Sequence, residues 1–375
     1  MKQPPDSKQK LTEQWKAARA GVQYTLAKQA YEIGDIENSR KSCDQALALN
    51  PKLAAALVLS AKLSIEKGQL DRADAALKQA REIDPKNPEP DYYQGVVYQR
   101  WQKPQQALEA YTHASEKAPS EPAYLLARAE TLVALDKSTE ALAILQDKVA
   151  FFESSAAIRD AIGQILQQQG KNAEAVTMFR EASMLSPDDL GIRERLALGL
   201  FYANQYQDAL EHLTKLMKLD AFARRGDLLA ALGECQLQLD RPRDARDSYE
   251  SAAQATPGVP EVWLGMARVA LKLNDQQRAE LALRKAIALA PDNPQAHLLT
   301  GYLRLRENRL PEALVSFQKA SQLDARDTVG LCMLGYVQEK LGHPDQALAL
   351  YGQALKLNPK DDFASKLMAS LDLHE

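Results

Sequence analysis

The chain has 375 residues, 45% of them apolar, which is enough to bury a core. Its net charge of −3 and isoelectric point near 6.1 exclude the basic footprint of a DNA- or RNA-binding protein. No run approaches the roughly 18 apolar residues that cross a bilayer, and three widely separated cysteines, Cys43, Cys235 and Cys332, argue against a disulfide framework or a Cys-rich zinc site.

In chain order, the opening MKQPPDSKQK has no apolar h-region, so the chain as written carries no secretory signal. The default expectation is a cytoplasmic protein. The alternative is a periplasmic or envelope-anchored one, with Lys2 to Lys10 as the tether left after a signal is removed. Residues 1–19 read as a polar extension in which Leu11 to Ala20 begins the first helix, with Trp15 packing on the first repeat.

Punctuation then recurs. Pro51, Pro85 and Pro119 stand 34 residues apart, as do Pro257 and Pro291, and Pro359 lies two such steps further on. A fixed period of this size marks a stacked-repeat architecture. Each proline follows a helical pattern such as Ala73-Ala76-Leu77-Ala80 and ends it, because proline donates no backbone hydrogen bond and restrains its predecessor. Asn87 suits an N-cap and Pro88 the first helical position; Pro122, Pro260 and Pro294 repeat that start. A second break falls inside each period, at Gly34, Gly68, Gly170 and Gly342, with Asn204, Asn274 and Asn308 elsewhere. These residue types tolerate the left-handed conformation that closes a helix. One period is therefore helix, tight turn, helix, proline-marked turn.

Small residues keep the same register. Ala61, Ala73 and Ala80 correspond to Gly95, Ala107 and Ala114, and the series continues through Gly163, Gly233 and Gly335. They allow antiparallel helices to approach closely, while Tyr98, Tyr111, Phe179, Tyr249, Phe317 and Tyr351 fill the gaps between periods. Two periods depart from the pattern. One has Lys148 and Glu153 where Ala and Pro are usual, with Phe151-Phe152 between them; the other has Leu216 for Ala and two extra residues near Ala221-Phe222-Ala223. Both predict altered helix lengths or stacking in the middle of the array. Asp361-Asp362, then Phe363, Leu367, Met368 and Leu371, read as a capping helix over 362–375, with Lys366, Asp372 and Glu375 on its polar outer face.

In order and spacing, the small residue, the aromatic, the paired alanines and the closing proline resemble the tetratricopeptide repeat (TPR) family. Repeats starting at Ala20, Ala54, Pro88, Pro122, Ala156, Leu190, Gly226, Pro260, Pro294 and Thr328 cover 20–361. The resemblance implies an all-α fold, a right-handed α-solenoid or superhelix of about ten tandem helix-turn-helix repeats. It also implies that each first helix lines a concave surface that receives a peptide or a partner's helix.

Carried over repeat by repeat, that surface holds Lys28, Lys62, Tyr92, Gln99 and Arg100, then Glu130, Asp160, Gln164, Gln167, Glu194 and Glu234. Arg268, Lys272, Tyr302, Arg306, Tyr336 and Lys340 follow, with Phe201 and Tyr202 adding aromatic surface. The groove would run basic, acidic, basic, and the cluster Tyr302, Arg306, Tyr336 and Lys340 would accept an acidic segment with an aromatic or aliphatic anchor. A subclass of the family grips C-terminal carboxylates with a Lys, two Asn and further basic residues. Tyr24, Lys28, Leu59, Glu89 and Tyr93 stand at those positions, so that specificity is not expected.

His113, His212, His297, His343 and His374 lie at no ligand spacing, and no phosphate loop, G-x-S-x-G or H-E-x-x-H occurs. The chain reads as a non-enzyme with no cofactor and no metal. The leading expectation is a protein-binding scaffold or adaptor with protein or peptide partners, no nucleic acid and no membrane span. The alternatives are an envelope-assembly or secretion accessory protein and the substrate-recruiting arm of a larger enzyme such as a glycosyltransferase.

Overall fold

The computed structural model describes residues 7–372, with side chains from Lys10 to Leu371. Of the expected tether, Lys2 to Lys10, residues 2–6 lie outside these, as do His374 and Glu375, and for residues 7–9 and Asp372 the backbone alone is described. Among the described residues there are 21 helices and no strand. By contacts the chain divides between Ser186 and Pro187 into two compact bodies.

In the N-terminal body the first helices are α1 (Ser7–Glu32), α3 (Ala54–Glu66), α5 (Glu89–Arg100), α7 (Pro122–Ala134) and α9 (Ala156–Gln168). They alternate with second helices α2 (Ile36–Leu49), α4 (Leu70–Ile83), α6 (Pro104–Lys117), α8 (Ser138–Lys148) and α10 (Asn172–Leu185). The C-terminal body holds first helices α11 (Leu190–Tyr202), α13 (Gly226–Gln238), α15 (Pro260–Lys272), α17 (Pro294–Arg306) and α19 (Thr328–Lys340). Its second helices are α12 (Tyr206–Met217), α14 (Pro242–Ala255), α16 (Gln276–Leu289), α18 (Leu310–Leu323) and α20 (Pro344–Leu357), followed by α21 (Asp362–Asp372). Each first helix packs on its own second helix, and in each body the pairs stack in series.

The turns explain the pairing. Every first helix is closed by one left-handed residue, and the amide after it returns to the helix, as from Lys103 to the Tyr98 carbonyl at 2.9 Å and from Arg241 to that of Gln236 at 2.8 Å. That six-to-one bond satisfies a terminal carbonyl that the helix cannot. Three of the left-handed positions are Gln102, Asp136 and Asp240, which residue type alone did not flag. At the other turn, Asn87 Oδ1 accepts from the Glu89 amide at 3.0 Å, and Pro88 follows with helical dihedrals. Asn293 Oδ1 accepts from the amides of Gln295 and Ala296 before α17.

The small residues are required by close approach. A Cβ at Gly163 would fall 2.6 Å from the Phe179 ring, and one at Gly233 would fall 2.8 Å from Tyr249. Gly95 faces Tyr111, Gly301 faces Phe317 and Gly335 faces Tyr351 in the same way. These rings therefore fill the seam inside a repeat as well as the gap to the next one. Tyr249 also lies against Gly265 of the following repeat, and Phe317 clusters with Met333 and Val337.

The two irregular repeats have short second helices, 11 residues in α8 and 12 in α12 against 14 in the others. In each, an aromatic residue four positions before the next first helix turns inward. Phe152 and Phe222 are both buried, filling the space the missing turn leaves.

At the C-terminal end, Asp361 caps α21 by accepting from the amides of Phe363 and Ala364 at 3.0 Å. Ala364 and Leu371 are buried with Leu331, Cys332 and Tyr351. At the other end Trp15 does not pack on the first repeat; it is 58% exposed, with the Arg19 guanidinium 5.2 Å over its ring. The reason is length. α1 has 26 residues and α2 has 14, so the opening turns of α1 have no neighbour to lie on.

Candidate functional site

First helices of successive repeats touch one another, α1 with α3, α3 with α5 and α7 with α9 in the N-terminal body. In the C-terminal body the same holds for α11 with α13, α13 with α15 and α15 with α17. Successive second helices lie further apart and are bridged by exposed ion pairs, such as Arg278 of α16 with Glu250 of α14 at 2.8 Å. Side chains bridge the two remaining joints between first helices, the Tyr92 and Tyr124 rings at 4.9 Å between α5 and α7 and the cluster of Tyr302 and Leu305 with Met333 and Val337 between α17 and α19. The first helices thus form a shared wall within each body, and the candidate side chains stand on it.

Much of the charge on this wall is engaged within the protein. In the C-terminal body the Arg268 guanidinium donates to both oxygens of Glu234, at 3.0 and 2.6 Å. Tyr249 and Gln238 also donate to Glu234, at 2.6 and 2.8 Å. Burial pushes the Glu234 carboxyl up, but these hydrogen bonds and the Arg268 charge outweigh it and hold the group below its ordinary range. Glu194 pairs with Arg225 at 2.8 Å and Lys272 with Asp240 at 2.8 Å.

Arg306 donates to the Leu271 carbonyl at the end of α15 and to Asn274 Oδ1 at 2.7 Å. Arg100 does the same one body earlier, donating to the Ile65 carbonyl at 2.8 Å. Both arginines thereby satisfy a terminal carbonyl of the preceding first helix. The expected C-terminal cluster is accordingly split in role. Arg306 is tied to its neighbour, and Tyr302 is partly buried edge-on against Phe317, with its hydroxyl pushed up by that burial. Lys340 lies 5.1 Å over the Tyr336 ring and 3.7 Å from Glu339. Tyr202 is exposed beside Phe201.

In the N-terminal body, Lys28 pairs with Glu32 at 3.8 Å, and Lys62 pairs with Glu89 at 3.1 Å over the Tyr93 ring. Tyr92 sits among the rings of Tyr93, Tyr111 and Tyr124, at 4.9–5.5 Å between centroids. Burial raises its hydroxyl above the ordinary tyrosine value. Gln99 is held between the Tyr111 hydroxyl at 2.7 Å and Thr131 at 3.5 Å. Asp160 is buried and accepts from Gln164 at 2.8 Å.

Between α7 and α9 the wall opens into a cavity of about 160 Å³, with a floor of Ala129, Val133, Ala161 and Ile165 and a rim of Glu130, Gln164 and Gln168. Glu130 is exposed and makes no ion pair among the described residues. Sequence reasoning named Glu130 and Gln164 but not the apolar floor. The signal was available, since Val133 and Ala161 lie about one helical turn from Glu130 and Gln164 on the same side.

The three thiols are not candidate nucleophiles. Burial pushes Cys43 and Cys235 up to about 12 and Cys332 up to about 11. Among the described residues no group of three or more metal-binding side chains occurs, and no helix is long and apolar enough to cross a membrane.

The paired helices, the one-per-period left-handed turn and the glycine-on-ring seams define a tetratricopeptide-type helical array. The family model described as FAT domain, a TPR-like helical solenoid, matches residues 23–367, and the chain belongs to that family. Among solved structures it is similar to the Cut9 and Hcn1 hetero-tetramer of APC/C, at 14% identity over 95% of this chain and 90% of that one, with a TM-score of 0.50. It is also similar to yeast Tom70, at 14% identity over 95% and 88%, with a TM-score of 0.48. A third is TTC0263, a thermophilic TPR protein of Thermus thermophilus, at 22% identity over 48% and 97%, with a TM-score of 0.42. No curated protein matches the chain.

Proposed function

We propose that this protein is a non-catalytic scaffold that holds a peptide or protein partner along the wall of first helices, with the cavity between α7 and α9 as an anchoring point. The observation that carries this reading is the contrast among the wall carboxylates. Glu194 and Glu234 are neutralised by Arg225 and Arg268, whereas Glu130 has no cationic partner and borders an apolar floor. A carboxylate beside a small apolar pocket suits a segment carrying an aliphatic side chain next to a Lys or Arg. Gln164 and Gln168 supply amide groups that match an extended backbone. The buried thiols and scattered histidines fit a surface that recognises and does no chemistry.

The test is a peptide array that scans Leu, Ile and Val next to Lys or Arg, probed with the full chain and with Glu130→Lys. Glu130 is exposed, so the variant keeps its fold. Binders should weaken about tenfold or more in the variant, in line with the loss of one interfacial charge pair. Equal binding by both proteins, or a preference for acidic peptides, would remove the cavity from the reading.

A further inference from the structure

α1 is apolar on two opposite sides. Ala20, Tyr24, Ala27 and Tyr31 fall on one side, with Ala20 and Ala27 fully buried and Tyr24 and Tyr31 packed into the first cluster. At about 100° per residue, Leu11, Trp15, Ala18, Val22 and Leu26 fall on the other, and Ile33 continues their line just past the helix. Leu11, Trp15, Val22, Leu26 and Ile33 are between 47% and 81% exposed. In later repeats this side is covered. The residues in the places of Val22 and Leu26 on α9 are Ile158 and Ile162, both buried, on a helix that packs against the preceding α8.

We propose that this side of α1 is a homodimer interface, in which α1 of a second copy packs antiparallel about a twofold axis at Val22. The stripe from Leu11 to Ile33 is about 33 Å long, whereas a 14-residue second helix of the usual kind spans about 21 Å. The helix that matches the stripe end to end is α1 itself. Antiparallel pairing about Val22 brings Leu11 to Ile33, Trp15 to Gln29 and Ala18 to Leu26 of the second copy, so that Trp15 meets a flexible residue and Leu26 a small one. Gly21 lies beside the axis, and a Cβ there would meet nothing within 4 Å, leaving its backbone open to approach.

Charge selects the same orientation. Lys10, Lys16 and Arg19 outnumber Glu13 at the start of α1, and Glu32, Asp35 and Glu37 outnumber Lys28 at and beyond its end. The antiparallel register sets the net-basic start of α1 alongside the net-acidic end of α1 in the second copy, twice. A parallel register sets Lys10 against Lys10 and Arg19 against Arg19. Opposed helix dipoles favour the antiparallel arrangement as well.

The test uses the full chain at micromolar concentration in sedimentation equilibrium. The wild type should be a dimer, and Val22→Glu with Leu26→Glu should raise its dissociation constant by about 30-fold or more, the loss typical of central interface residues. Both side chains are exposed, so the circular dichroism of the variant should not change. Mild oxidation gives the register. Val22→Cys should link to itself, and Leu11→Cys should link to Ile33→Cys in a mixture but not to itself. The native Cys43, Cys235 and Cys332 are buried and do not compete. A monomeric wild type, a self-linked Leu11→Cys, or stripe-dependent binding to anionic vesicles by a monomer would each overturn the proposal.

Discussion

Glu234 shows how a residue on the wall can be structural. Its carboxylate gathers Arg268 from the next repeat, Tyr249 from its own second helix and Gln238 one turn on. Because its native pKa is depressed, the folded state binds fewer protons than the unfolded state as pH falls. The stabilisation is whole above the ordinary glutamate range, near pH 4.3, and is lost as pH falls through the lower native value. Glu234→Gln should therefore cost about 1 kcal/mol at neutral pH, discounted because Arg268 is partly exposed. The gap between variant and wild type should close in acid; urea melts at a series of pH values would measure it. A gap that persists at low pH would assign the loss to packing instead of charge. Spacing in the sequence placed Glu234 and Arg268 on one surface, but it left them as open binding groups. Which charges face each other across 34 residues depends on how adjacent first helices stack, and that is settled only by the packing.

Helix ends are the clearest case of what was and was not legible. Seven of the first-helix stops fall on Gly or Asn and were read from residue type, whereas Gln102, Asp136 and Asp240 take the same left-handed turn with other side chains. Their conformation is imposed by the six-to-one bond and the packed neighbours, not by their own preference. Gln102, at φ 57°, closes α5 against the usual preference of a side-chain-bearing residue. Gln102→Gly should stabilise the N-terminal body by about 1 kcal/mol, read as a rise in its urea midpoint; a loss of stability would mean that the Gln102 side chain contributes a contact of its own. The short α8 and α12 were foreseeable from Lys148 and from the two extra residues near Phe222. That Phe152 and Phe222 would occupy equivalent inward places was not, because periods of different length hide the equivalence until both are counted back from the next helix.

Stacked repeats contact only their neighbours, so stability along the chain is a sum of local terms and not one cooperative block. The three buried thiols sample it at separate points. Cys43 lies in the N-terminal body, Cys235 on α13 inside the C-terminal body, and Cys332 on α19 in its last helix pair. All three should resist a thiol reagent in native buffer, their pKa values being raised by burial. As urea rises, Cys332 should react before Cys235, because terminal repeats open first. Mass spectrometry of labelled peptides would show the order, and one shared midpoint for all three would contradict the additive picture.

Arg100 and Arg306 reach back 35 residues, each to a carbonyl in the last turn of the first helix before it. A tie of this kind is indifferent to how many repeats precede or follow it and intolerant of any change that is not a whole period. Duplicating a complete repeat, or losing one that carries neither arginine, leaves both latches in place, while slipping the chain by one or two residues swings the guanidinium off its target. Such a protein can lengthen or shorten its surface in whole steps during evolution, acquiring or discarding sites for partners without redesigning the joints between them.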